Sequence, residues 1–156
     1  MQHNLTTNQF WQFSLDYYSK SAHSEQLLLL QDTYGANINL CLLLKFLESQ
    51  ALTITSKEIN SLHQSVTCFN AHHTRPLRTL RKQFKKELNT ITNYSALRQH
   101  LLNAELELEK QEQALLLDKV NQLPLRKGSS TSINIYLFEV LAVSKTDLDQ
   151  ILFQLS

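Results

Sequence analysis

Glycine and proline punctuate a protein chain, and this one of 156 residues carries only two of each. Glycine enters the φ > 0 region without penalty, and hairpins, dinucleotide-binding turns and phosphate-cradling loops all lean on that freedom. With Gly35 and Gly128 as its whole supply, the chain is poorly equipped for β-rich, dinucleotide or P-loop folds. It is well equipped for helices joined by short polar loops. A hydrophobic share of 42% against 19% charged residues is that of a globular protein, too apolar for disorder. A chain of this length buries its own core. The reading is an all-α single domain over residues 1–156, a bundle of about six to eight helices around one buried central helix. Residues 1–6 read as a flexible N-terminus and residues 123–131, with Pro124, Gly128 and a Ser-Ser-Thr run, as the clearest loop.

Periodicity places the helices. The first is predicted from about Asn8 to Lys20, capped by Thr7 or Asn8, with Phe10, Phe13 or Ser14, and Tyr17 on one stripe. Ser24 opens a second, which Gly35 ends in the left-handed conformation. Asn37 or Asn39 caps a third containing Leu40, Cys41, Leu42, Leu43, Leu44, Phe46 and Leu47, apolar nearly all round and therefore the buried central helix. Were Asn39 inside instead, it would have to hydrogen-bond a neighbouring helix or a ligand. Thr55 and Glu58 form a capping box before a helix with Ile59, Leu62, Val66 and Phe69 inward. Pro76 disfavours helical geometry at Arg75, so that helix is predicted to end near Ala71 to Thr74. The next would carry Pro76 at its first position and bury Leu77, Leu80, Phe84 and Leu88.

The longest helix is predicted over about Ser95 to Gln122. Leu97, Leu101, Ala104, Leu108, Gln111 and Leu115 form a heptad-like seam, with Leu102, Leu106, Leu116 and Leu117 beside it. Packing within the chain is favoured over self-association through residues 95–122. Ser132 to Val143 would suit a strand or a helix, and helix is preferred because a lone strand has no partner. Ser144 caps a final helix with Leu148, Ile151, Leu152 and Leu155 apolar.

A net charge of +1 singles out no class of partner. Cys41 and Cys68 lie in apolar stretches without CxxC pairing and read as buried thiols of a reducing compartment. Met1 to Thr7 lacks a signal-peptide pattern, and no apolar run nears the ~20 residues that span a bilayer, so no membrane partner and a cytoplasmic location are expected. His72 and His73 are adjacent and point about 100° apart on a helix, and His63 and Cys68 miss the i, i+4 spacing of paired ligands. No metal and no cofactor are expected. Ser14, Ser65, Cys41 and Cys68 sit in no nucleophile motif, and Asp16, Asp32 and Glu48 are scattered carboxylates, so no catalytic residue is assigned.

The sharpest local feature is a basic helix with Arg75, Arg78, Arg81, Lys82, Lys85 and Lys86. Such a stripe suits an acidic protein surface or RNA. The competing reading is that Glu105, Glu107, Glu109, Glu112 and Asp118 of the following helix absorb the charge. The leading expectation is a non-enzymatic interaction or adaptor protein using residues 75–86, with a nucleic-acid-binding module as the alternative. A third reading is a small-molecule-binding or catalytic bundle with a pocket lined by Trp11, Tyr17, Tyr18 and Tyr34, and by Asn39 if it lies inside.

Three segments, Phe10 to Tyr18, Leu30 to Leu40 and Arg75 to Lys85, together resemble a family of small proteobacterial proteins known as a domain of unknown function. The chain departs from that family's pattern at Asn37, where Asp is usual, and at Phe69, where Trp is usual. The resemblance implies a helical cytoplasmic protein and brings no activity, cofactor or catalytic residue.

Overall fold

The computed structural model describes residues 4–128 and 132–156. Residues 1–3 and 129–131, which include part of the expected flexible N-terminus and the Ser-Ser-Thr run, lie outside the described residues. Helices run α1 (Thr7–Ser19), α2 (Ser21–Tyr34), α3 (Ile38–Ser49), α4 (Ser56–Phe69), α5 (Arg75–Lys85), α6 (Tyr94–Asn121), α7 (Ser132–Ile135) and α8 (Lys145–Leu155). The chain is an all-helical bundle with one small exception. Leu52–Thr53 (β1) pairs antiparallel with Arg126–Lys127 (β2), so part of the expected loop 123–131 is a two-residue rung.

Caps explain most boundaries. Thr6, not Thr7 or Asn8, caps α1, exchanging hydrogen bonds with Gln9 in a capping box. The preceding Leu5 is tied to α6 by paired bonds with the Asn121 side chain, which pins the end of the segment expected to be flexible. The second helix starts at Ser21, before Ser24, and ends at Gly35 with φ 72°, where Ala36 N–H reaches back to Leu30 O. Asn37 caps α3 by accepting from Leu40 N–H at 2.9 Å. The Thr55–Glu58 box and the Ser144 cap form as predicted. Among the described residues the other left-handed positions are Ala51, Asn93 and Ala142. The chain turns there without glycine, at a cost of about 1–2 kcal/mol for a residue with a Cβ.

The third helix is the centre. Leu40, Cys41, Leu43, Leu44 and Leu47 are all fully buried. Around them pack Phe10 and Tyr17 of α1, Leu27 and Leu30 of α2, Ile59, Leu62 and Val66 of α4, and Leu116, Leu117 and Val120 of α6. The segment after Ser132 is helical, continuing from α7 into a π-helical stretch, Tyr136–Val140, whose Tyr136 and Leu137 close the core. Cys41 is buried, and its thiol is pushed up to about 12 by burial. Cys68 is exposed, against expectation, because it lies on the outer face of α4, one turn before His72.

The predicted break before Pro76 does not occur. Thr74 and Arg75 are both helical, and the chain runs from α4 into α5 through a π-helical turn, Asn70–Thr74, closed by Arg75 N–H on Asn70 O. A wider i→i+5 turn accommodates the proline that an unbroken α-helix would reject. It also changes which side chains face inward. At about 100° per residue, an uninterrupted α-helix would carry the buried Ile59–Leu62–Val66 line on to Leu77, Leu80 and Phe84. One extra residue in the turn advances that line to Arg78 and Arg81. Accordingly Leu80 and Leu88 are exposed, Leu77 and Phe84 are half-buried, and α5 has no fully buried residue.

Candidate functional site

The phase shift sets guanidinium groups against α6, and α6 answers with acid. Its seam also differs from the heptad expectation. Ala104 and Gln111 are exposed, whereas Glu105, Glu112, Gln113, Leu116, Leu117 and Val120 are buried. The spacing of 105, 109, 112 and 113 places three carboxylates and an amide on one helical face.

Arg78 Nε donates to Glu105 Oε1 at 3.3 Å and its Nη2 to Glu109 Oε1 at 3.1 Å. Arg81 grips Glu105 from the side, with Nε on Oε2 and Nη2 on Oε1. Glu105 therefore takes two guanidiniums, an arrangement that offsets the cost of its burial. Glu112, 2% exposed, meets no cation among the described residues. It accepts from Asn37 Nδ2 at 3.0 Å, Asn70 Nδ2 at 3.1 Å and Thr74 Oγ1 at 2.6 Å. The π turn supplies two of those three donors. Burial holds the Glu109 carboxyl above the usual range; Arg78 opposes this, and Glu112 and Glu105 reinforce it.

Asn39 is not a cap. It lies inside, in the first turn of α3, with Nδ2 3.5 Å from the Glu109 carbonyl and Oδ1 accepting from Gln113 Nε2 at 3.0 Å. Gln113 Nε2 also donates to Ser14 Oγ at 3.0 Å, and that hydroxyl donates to Phe10 O. With Ser14 and Asn39 both presenting acceptors, the Gln113 amide can face only one way. Its Oε1 is then left buried without a hydrogen-bond partner.

These groups form the polar side of a cleft of about 660 Å³. Its apolar side comes from Trp11, Leu15 and Tyr18 of α1, Leu42 of α3, and Leu102 and Leu106 of α6. Lys110 Nζ stands 5.2 Å from the Trp11 ring centroid. A neighbouring cavity of about 410 Å³ shares Asp32, Asn37, Asn70, Arg78 and Lys82 with it and adds Arg75.

The sequence-predicted residues divide accordingly. Trp11, Tyr18 and Asn39 line the cleft. Tyr17 and Tyr34 do not: the buried Tyr17 hydroxyl donates to Leu155 O at 2.5 Å, and Tyr34 donates to Asp147 at 2.6 Å near the start of α8. Both tyrosines serve to dock the C-terminal helix. Of the basic helix, Arg78, Arg81 and Lys82 line the cleft, whereas Arg75, Lys85 and Lys86 do not. Arg75, Lys82, Lys85 and Lys86 are exposed and form no ion pair among the described residues. Sequence reasoning missed Glu112, Gln113, Asn70 and Thr74 as site residues. The available signal for the α6 residues was the i, i+4 run Glu105, Glu109 and Gln113 with Glu112 one turn beyond Glu109, which a seam read from leucines alone passes over.

The family model described as "Protein of unknown function (DUF2390)" matches residues 9–116. The chain belongs to this family. No curated protein and no solved structure matches it. The DUF2390 match contains every residue that lines the cleft, from Trp11 to Gln113, and ends before Tyr136 and Asp147. Among the described residues no helix is long and apolar enough to cross a membrane.

Proposed function

We propose that this protein binds a small polar molecule in the cleft between α1, α3, α5 and α6. The observation that carries the reading is Gln113 Oε1, a buried acceptor without a partner in a side chain that lines the cleft. A buried acceptor left without a donor costs about 1–3 kcal/mol. A ligand N–H or O–H recovers that energy, and a cleft of this size is typical for small-molecule sites. The lining has the usual division of labour, with apolar walls and a few convergent polar groups. The reading is of binding rather than turnover.

Native mass spectrometry of protein exposed to a metabolite extract tests it. A retained small-molecule adduct in the wild type that disappears in Gln113→Leu and Asn39→Leu is expected. Loss of nothing but solvent on activation, in wild type and variants alike, would defeat the proposal.

A second reading rests on Arg75, Lys82, Lys85 and Lys86, which stay exposed after Arg78 and Arg81 are used internally. These four cations suit an acidic protein surface or RNA. Binding through them should weaken steeply with salt and vanish in Lys82→Glu with Lys86→Glu. Binding that ignores both changes removes this reading.

A further inference from the structure

The charges around the cleft do not balance. Three carboxylates face it from α6, namely Glu105, Glu109 and Glu112, against two guanidiniums, Arg78 and Arg81, that are bound to them. The deficit falls at Glu112, which is 2% exposed and bonded to neutral donors alone. A buried carboxylate without a cation is costly unless something compensates it. Lys82 and Asp32 at the mouth are exposed and of opposite sign, so together they leave the count unchanged. Lys110 is paired with Glu107 at 3.6 Å and does not line the cleft.

The hydrogen-bond inventory has the same sense. Gln113 Oε1, in a side chain 3% exposed, accepts nothing. Glu109, one turn away on the same face, engages Arg78 through Oε1 only. Acceptors are in surplus on the polar side, so the missing group is a donor that carries positive charge. The opposite side supplies aromatic and aliphatic surface from Trp11, Tyr18, Leu42 and Leu102.

We propose that the ligand is a small organic cation, an ammonium group on an apolar or aromatic body, with the ammonium facing the Glu109 and Glu112 carboxylates beside Gln113. This rests on the cleft being a ligand site and adds the chemical class. An ammonium in that place brings the cluster to neutrality, supplies a donor where acceptors are in surplus, and leaves the body in apolar contact with Trp11 and Tyr18. It would also lower the Glu109 carboxyl toward the usual range, so binding releases a proton in the window between the ordinary carboxylate value and the raised one. The charged and titratable groups around Glu109 are Arg78 from α5, Tyr18 from α1, and Glu105 and Glu112 from its own helix.

Three probes of one shape and different charge test the class: phenethylamine, 2-phenylethanol and 3-phenylpropanoate. Trp11 is the single tryptophan of the chain and reports occupancy by its fluorescence, with calorimetry as the second readout. Phenethylamine is expected to bind at least about tenfold more tightly than the alcohol, and the carboxylate most weakly. Glu109→Gln, which keeps the acceptor for Arg78 and equalises the charges, should erase the preference for the amine over the alcohol. Circular dichroism confirms that the variant is folded. Equal or tighter binding of the alcohol or the carboxylate, lost in Gln113→Leu, would leave the cleft a ligand site and overturn the cation. Silence from all three probes to about 10 mM also overturns the cation, while native mass spectrometry separately decides whether the cleft is occupied. A phenethylamine response unaltered in both Gln113→Leu and Glu109→Gln places binding elsewhere and overturns the inference.

Discussion

Asn37 Nδ2 on the cap of α3 donates to Glu112 Oε1 on α6 at 3.0 Å, while its Oδ1 accepts from Leu40 N–H at 2.9 Å. One side chain thus starts the central helix and solvates a buried carboxylate. Asn37→Ala removes both roles. It should cost about 2–3 kcal/mol, the sum of a lost cap and a stranded acceptor. Urea denaturation measures it. Asn37→Asp keeps the cap and sets a second carboxylate against Glu112, so it should be no more stable than the alanine variant near neutral pH and should recover in acid.

Glu105 holds two guanidiniums at once. Glu105→Ala leaves Arg78 and Arg81 half-buried with one carboxylate between them, and about 2–3 kcal/mol of stability should be lost. Adding Arg81→Met should return part of it, since the second change removes an unmatched charge. A double-mutant cycle reads the coupling.

Two titrations have opposite signs. Burial raises the Glu109 carboxyl, so between the ordinary carboxylate value and that raised value the folded state holds more protons than the unfolded. Stability should fall as pH rises through this window, and Glu109→Gln should flatten the slope. Burial lowers His63, whose Nδ1 lies 2.7 Å from the Tyr136 hydroxyl. That hydroxyl already accepts from Asn37 N–H, so its proton is free to meet a neutral imidazole. Stability from His63 should therefore be lost as pH falls from about 6.5 through its lowered value, and His63→Gln, which keeps an acceptor, should remove that limb. Denaturation midpoints between about pH 4 and 7 separate the two.

Pro76→Ala removes the residue that an ordinary α-turn rejects, and should let α4 run into α5 as unbroken α-helix. Leu77, Leu80 and Phe84 would then face α6, and the guanidiniums would turn to solvent. The variant should lose the Trp11 response to ligand. Because Glu105 and Glu109 would lose their guanidiniums, it should also be less stable at neutral pH than in mild acid. A variant with unchanged binding would show that the turn does not set the phase.

The helical class, the central α3 and several of the caps were legible because each rests on local chemistry. Gly35, Asn37 and the Thr55–Glu58 pair act within one turn of themselves. The burial of α5 was not legible. Its leucines keep the phase of Ile59, Leu62 and Val66 in sequence, and only the extra residue at Asn70–Thr74 takes them out of it. Pro76 marks the place but suggests a break, since proline penalises an α-turn and says nothing about a wider one. The inward turn of Glu105 and Glu112 follows from the same cause and is hidden with it. Asn39 reads as a cap because Asn37 and Asn39 have the same chemistry two residues apart, and only Gln113 across the interface distinguishes them.

The π turn also bears on how such a site can arise. From Ser56 to Lys85 the chain is a single rod with two angular settings. In one its leucines would complete an apolar bundle. In the other its arginines meet α6 and leave a cleft. Closing the wider turn into an ordinary α-turn is enough to move between them, with the sequence of the two flanking helices unchanged. The face that this rod turns to α6 is therefore set by the hydrogen-bond pattern of a single turn, which the periodicity of its side chains does not register.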